Sequence, residues 1–169
     1  IIERADIKQD LYRKLAAVAK ADAIITSNTS TIPLSILTDG MEPARAERFA
    51  ITHFFNPPRY MPLLELVTTD ATDAGVSEGL RQVCDVALGK KVIDCKDTPG
   101  FIGNRLGTLW IQVATNAAED HDLTIEESDA LAGRHFGIPS TGIFKLMDLV
   151  GLDLGPYVSK SLYDNVNQG

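Results

Sequence analysis

The apolar pattern of this chain changes character once, at Asp97-Thr98-Pro99-Gly100, and that change limits the possible folds more than any other feature. Before it, short apolar runs alternate with helical stretches. Ala23-Ile24-Ile25-Thr26, Phe49-Ala50-Ile51-Thr52, Leu63 to Thr68 and Lys91 to Cys95 read as strands. Leu11, Leu15, Val18 and Ala19 share one helical face within residues 9–20, and an amphipathic helix over 73–88 closes at Gly89. Strands separated by helices predict βαβ units and a mostly parallel sheet. After the change no strand pattern recurs. Phe101, Leu106, Leu109, Trp110, Val113, Ala114 and Ala117 keep helical spacing over about five turns. Thr124-Ile125-Glu126-Glu127 is a capping box that opens another helix, and further helical stretches fall at roughly 142–150 and 154–165. The expected organisation is an α/β part over residues 1–98 and an all-helical part over 99–169.

A chain of 169 residues holds one domain, or one and a half, at typical sizes of roughly 100–150 residues. It opens on Ile1 rather than Met and ends on Asn167-Gln168-Gly169, which suggests a piece of a longer polypeptide. A net charge of −7 argues against a nucleic-acid groove or a polybasic membrane patch as the main activity. No apolar run approaches the roughly 20 residues that span a bilayer. Cys84 and Cys95 are the only cysteines, with neither CxxC spacing nor a ladder of partners. They read as free thiols of a reducing, cytoplasmic compartment, and no metal site is expected. Neither GxGxxG nor GxxxxGK[ST] occurs.

Ligands of open α/β sheets sit beyond the carboxyl ends of the strands. Asn28-Thr29-Ser30, His53 to Asn56, and the turn from Pro99 to Arg105 are expected to bring polar groups there. His53 ends an apolar strand and precedes two phenylalanines. An isolated histidine in that setting is more often structural than catalytic, but Glu65 alters the balance. It is the only acid in the apolar run from Met61 to Val67, and a buried carboxylate costs several kcal/mol unless paired. If the two strands lie close, Glu65 orients the imidazole and favours its protonated form. Ser30, ahead of Ile32-Pro33-Leu34, reads on spacing as a helix N-cap with proline in the first turn. Asn104 falls in the first turn of the long helix, where it can simply bond the helix end. His121 and His135 read as surface residues.

In combination, these strings resemble the L-3-hydroxyacyl-CoA dehydrogenase family of fatty-acid β-oxidation. The resemblance rests on Ser27-Asn28-Thr29-Ser30, His53-Phe54-Phe55-Asn56-Pro57 with Glu65, Asp97-Thr98-Pro99-Gly100-Phe101-Ile102-Gly103-Asn104-Arg105 and Asp148-Leu149-Val150-Gly151-Leu152-Asp153. It extends from Glu3 to about residue 155. It implies the carboxyl-terminal part of a Rossmann-type NAD-binding domain over residues 1–98, followed by the helical dehydrogenase domain over 99–169. It also implies oxidation of a 3-hydroxyacyl-CoA to a 3-ketoacyl-CoA with NAD as cofactor. By the same resemblance His53 is the general base, Glu65 orients it, and Ser30 and Asn104 lie near the substrate's 3-oxygen. Glu3, Lys8, Ser30 and Asn56 line the cofactor or CoA side. The helical part is expected to carry a homodimer contact through Trp110, Leu106, Leu109 and Val113.

The departures from the family pattern are informative. The glycine fingerprint and the acidic residue that reads the ribose lie outside these residues, so the chain alone is expected to be inactive. Pro139-Ser140-Thr141-Gly142-Ile143-Phe144-Lys145 and Pro58-Arg59-Tyr60 resemble variants of multifunctional β-oxidation proteins in which a hydratase–isomerase unit shares the polypeptide. The competing expectations are a related β-hydroxyacid dehydrogenase acting on a free acid and a non-catalytic helical dimerisation module.

Overall fold

The computed structural model describes residues 2–133, 135, 141–152, 155, 159, 160 and 163. They divide into two compact units, residues 1–102 and residues 103–169.

The first unit runs α1 (Ala5–Val18), β1 (Ile25–Ser27), α2 (Leu34–Leu37), α3 (Pro43–Ala46), β2 (Phe49–Phe54), β3 (Leu63–Val67), α4 (Ala74–Gln82) and β4 (Lys91–Cys95). One sheet holds all four strands in the order β1-β2-β3-β4. β1 pairs with β2 and β3 with β4 in parallel, each across a helical connection, as the alternating pattern predicts. The β2–β3 pair is antiparallel. Residues 55–62 join these strands without a helix, and a parallel return needs a crossover of about a dozen residues or more. β4 therefore runs against β1 and β2, and the segment after it leaves from the opposite end of the sheet. The expectation that the Pro99 turn departs from the same end as Ser27 and Phe54 is corrected on this point.

Alternation along the strands sends side chains to two apolar layers. Phe49, Ile51, Val67 and Cys95 pack with Tyr12 of α1, Leu34 and Leu37 of α2, and Phe101. Ala50, Leu64 and Leu66 form the other layer with Cys84, packed by Phe54, Leu80 and Val92. The N-terminus of α2 is not capped by Ser30, in contrast to the spacing argument. Pro33 holds the cap position, and Asp97 receives the N–H groups of Leu34 (2.5 Å) and Ser35 (2.9 Å). The cap comes from 63 positions away, where local spacing carries no sign of it. α4 opens on Asp73, whose carboxylate accepts the Val76 N–H. It widens into a π turn over Val83–Ala87 and ends at Gly89, with φ +64°.

The second unit contains α5 (Gly103–Asp120), α6 (Ile125–Leu131) and α7 (Phe144–Val150). The capping box forms as expected, with the Glu127 N–H on the Thr124 hydroxyl and the Glu127 carboxylate on the Thr124 N–H. Asp129 ties α6 to α7 by accepting the N–H groups of Ile143, Phe144 and Lys145 at 2.7, 2.7 and 3.1 Å. Gly142 makes this approach feasible: its φ is +73°, and a Cβ there would lie 2.5 Å from the Asp129 Cα. The helical stretch expected at 154–165 falls largely outside the described residues, as do Pro139 and Ser140 of the variant run and Asp153.

Candidate active site

His53 lies near the end of β2, and the antiparallel register sets it directly opposite Glu65 on β3. Cross-strand partners of this kind project from the same face of a sheet. The side chains meet there, His53 Nδ1 to Glu65 Oε2 at 2.7 Å, and both residues are buried, at 4% and 1% exposure. An ionised carboxylate can only accept, so the shared proton sits on Nδ1 and the ring presents Nε2 as a base. The other carboxylate oxygen, Oε1, accepts the backbone N–H of Ile102 at 2.9 Å.

Ile102 reaches Glu65 because residues 96–102 double back over the sheet after β4. The Phe101 N–H bonds the Thr98 carbonyl (3.0 Å), and Gly100 and Phe101 both adopt positive φ, +72° and +48°. This reversal also brings the Phe101 ring to 5.7 Å from the imidazole, while Phe55 packs on it at 4.8 Å. The imidazole is thus walled by two aromatic rings and held from behind by a carboxylate. Cys95 completes the surroundings of Glu65. Burial first, and then the Glu65 charge and a hydrogen bond to it, push the Cys95 thiol up to about 12.

The loop after β1 is fixed by a second carboxylate. Glu3 accepts the Thr29 hydroxyl, the Ser30 N–H (2.9 Å) and the Thr31 N–H (3.3 Å), and it pairs with Lys8 at 3.1 Å. Burial opposes ionisation of Glu3, but the bonds from Thr29, Lys8 and Ser30 outweigh it and lower its pKa. Tyr12 donates its hydroxyl to Ser27 (2.6 Å), and Asn28 Oδ1 accepts the Phe54 N–H (2.9 Å), which stitches this loop to the strand end carrying His53.

Of the residues expected from sequence, His53, Glu65, Ser30, Glu3, Lys8 and Asn56 belong to the first unit. His53 and Glu65 touch each other, and Glu3, Lys8 and Ser30 share one network. Lys8 is buried against Glu3 rather than extended into solvent, and Asn56 is exposed in the 55–62 segment. Asn104 is the second residue of α5, in the helical unit. His121 and His135 are exposed. The Ile102 N–H escapes residue-type reasoning because a backbone donor has no letter of its own, and Asp97 and Lys90 because their partners lie far away in sequence. The Pro99-Gly100 pair, a turn signal ahead of Phe101, was the only available hint.

Comparison with known proteins places the chain in a family. The family "3-hydroxyacyl-CoA dehydrogenase, NAD binding domain" matches residues 1–98, and "3-hydroxyacyl-CoA dehydrogenase, C-terminal domain" matches residues 100–169. A protein of Rickettsia felis that carries the name of a fatty acid oxidation complex trifunctional enzyme is 43% identical over 162 residues, covering 96% of this chain and 22% of that protein. The human mitochondrial hydroxyacyl-coenzyme A dehydrogenase is 36% identical over 158 residues, covering 94% of this chain and 49% of its own. The crystal structure of 3-hydroxybutyryl-CoA dehydrogenase from Escherichia coli K12 superposes with a TM-score of 0.84 at 32% identity, over 99% of this chain and 35% of that one. The chain spans between about a fifth and a half of the length of these relatives. With both family domains matched in order along it, the chain belongs to the 3-hydroxyacyl-CoA dehydrogenase family.

Proposed function

We propose that the chain is the segment of a longer NAD-dependent L-3-hydroxyacyl-CoA dehydrogenase that holds its proton-transfer machinery, with a 3-hydroxyacyl-CoA as substrate. The observation that carries this reading is the buried His53–Glu65 pair at 2.7 Å between aromatic walls. The match of residues 1–98 to an NAD binding domain supports NAD as the cofactor. Nothing in the sequence matches the glycine loop that would hold its pyrophosphate. When bound, NAD supplies a hydride acceptor for C3 of the substrate.

His53 Nε2 removes the proton of the 3-hydroxyl as that hydride leaves C3. Glu65 holds Nδ1–H throughout and offsets the positive charge that the ring acquires. The Ile102 N–H keeps the carboxylate from turning away. In the reverse direction the imidazolium returns the proton to the 3-keto oxygen, where charge develops. From the family pattern, Ser30 and Asn104 are assigned to that same oxygen, and Glu3, Lys8, Ser30 and Asn56 to the cofactor or CoA side. Residues 1–98 are assigned to the nucleotide-binding domain and 99–169 to the helical domain. Two free buried thiols fit a reducing compartment such as the cytoplasm.

The test is His53→Ala in the full-length enzyme, assayed with acetoacetyl-CoA and NADH. Turnover should fall roughly 10²–10⁴-fold, the range of general acid–base contributions, with NADH binding nearly unchanged. Activity within a few-fold of wild type would remove His53 from the mechanism. Equal turnover of free acetoacetate would favour the free-acid reading over the CoA ester.

A further inference from the structure

We propose that Lys90 is a positioning residue that clamps the segment between His53 and Glu65 from behind the sheet. The inference rests on the reading of His53 as the base. Lys90 is 8% exposed, and its ammonium donates to the backbone carbonyls of Pro58 and Met61, the latter at 2.8 Å. The same ammonium lies 5.8 Å from the centroid of the Phe54 ring. It has no carboxylate partner among the described residues.

Burying an ammonium against neutral groups is a poor way to gain stability, since an apolar side chain of similar volume fills the space without the desolvation cost. An ammonium does something a methionine cannot: it fixes two carbonyl oxygens of one segment at hydrogen-bond distance. Those carbonyls belong to the segment joining β2 to β3. Its internal turn, with Tyr60 and Met61 N–H groups on the Pro57 carbonyl, leaves Pro58 and Met61 facing the lysine. The Lys91 N–H adds a third tie, to the Pro62 carbonyl at 2.8 Å. The anchor is itself held, because the Lys90 N–H bonds the Cys84 carbonyl (2.9 Å) across the Gly89 turn.

The clamped segment bears directly on the base. Phe54, under the ammonium, is the next residue after His53, and Phe55 packs on the imidazole. His53 and Phe54 point to opposite faces of the strand, so Lys90 touches no reacting group. It sets where the wall of the base stands. An error of about 1 Å in such placement can cost on the order of 10²-fold in rate.

The experiment uses Lys90→Met and Lys90→Gln in the full-length enzyme with acetoacetyl-CoA and NADH, beside His53→Ala. K90M is expected to lower kcat about 10- to 100-fold while leaving KM for NADH within about twofold and the unfolding midpoint undiminished. K90Q, which retains two N–H donors, should fall between K90M and wild type. The deuterium isotope effect with deuterated NADH should rise in K90M as chemistry becomes slower than release. A folded K90M with kcat within about twofold of wild type overturns the proposal. So does a loss of activity that merely tracks loss of folded protein. If K90M does not fold, K90Q is read by the same criteria, and if neither folds, Lys90 is structural and the proposal falls. An active H53A would instead overturn the reading of the site, whatever Lys90 does.

Discussion

Cys95 is buried beside the carboxylate at position 65. Its thiol is pushed from an ordinary 9.0 up to about 12, by burial first and by the adjacent Glu65 charge second. A group whose folded pKa is raised contributes stability that is fully present below its unfolded pKa. Above about pH 9 the unfolded chain loses this proton before the folded chain does, so this contribution to stability falls as pH rises toward 12. In Cys95→Ala this contribution is gone. Urea unfolding of both proteins from pH 8.5 to 11.5 should show the wild-type midpoint descending more steeply, and parallel curves would mean the thiol is not held neutral. At this scale the pair was partly legible in the sequence. Glu65 stood out as the one acid in an apolar run, and a buried acid needs a partner. The Ile102 N–H that holds its other oxygen was not legible, because it arrives from 37 positions away through the reversal at Gly100.

At the level of elements, legibility followed how local the determining interactions are. β4 matches its expected limits, and β3 differs by one residue, since alternation and flanking turns mark both. α1 was expected over 9–20 and spans Ala5–Val18, because its buried positions include Lys8, whose charge is neutralised by Glu3 outside the helix. α2 depends on Asp97, and the antiparallel β2–β3 step depends on connection length, so neither registers in a hydrophobic pattern. α5 poses the remaining question. Leu106, Leu109 and Val113 on it are 62%, 60% and 59% exposed, and Trp110 with Val113 borders an apolar groove of about 450 Å³ that reaches Leu131 and Ile143. The homodimer contact expected of the helical part from sequence would fall on this face. Sedimentation at high micromolar concentration should then give a dimer, and Leu109→Lys should give a monomer. A wild-type monomer under those conditions leaves the face to pack within a longer chain instead.

Across the whole molecule, the chain holds a buried His–Glu pair and no glycine loop of the dinucleotide-binding kind. His53, Glu65 and the Ile102 N–H are all supplied within residues 1–102. The sheet in that unit has four strands, and none of its turns carries the glycine loop that lets backbone N–H groups and a helix N-terminus grip a pyrophosphate. The net charge of −7 makes matters worse for two anionic ligands, because Lys8 is already committed to Glu3. On the proposed mechanism, proton abstraction by His53 achieves nothing unless a hydride leaves C3 in the same event, so weak NAD binding would remove turnover even with His53 in place. The purified 169-residue chain should therefore give no detectable acetoacetyl-CoA-dependent oxidation of NADH. Addition of a segment that carries such a glycine loop, covalently or in trans, should restore it. Turnover by the chain alone would show that the groups at the ends of β1 and β2 hold the cofactor without a pyrophosphate grip.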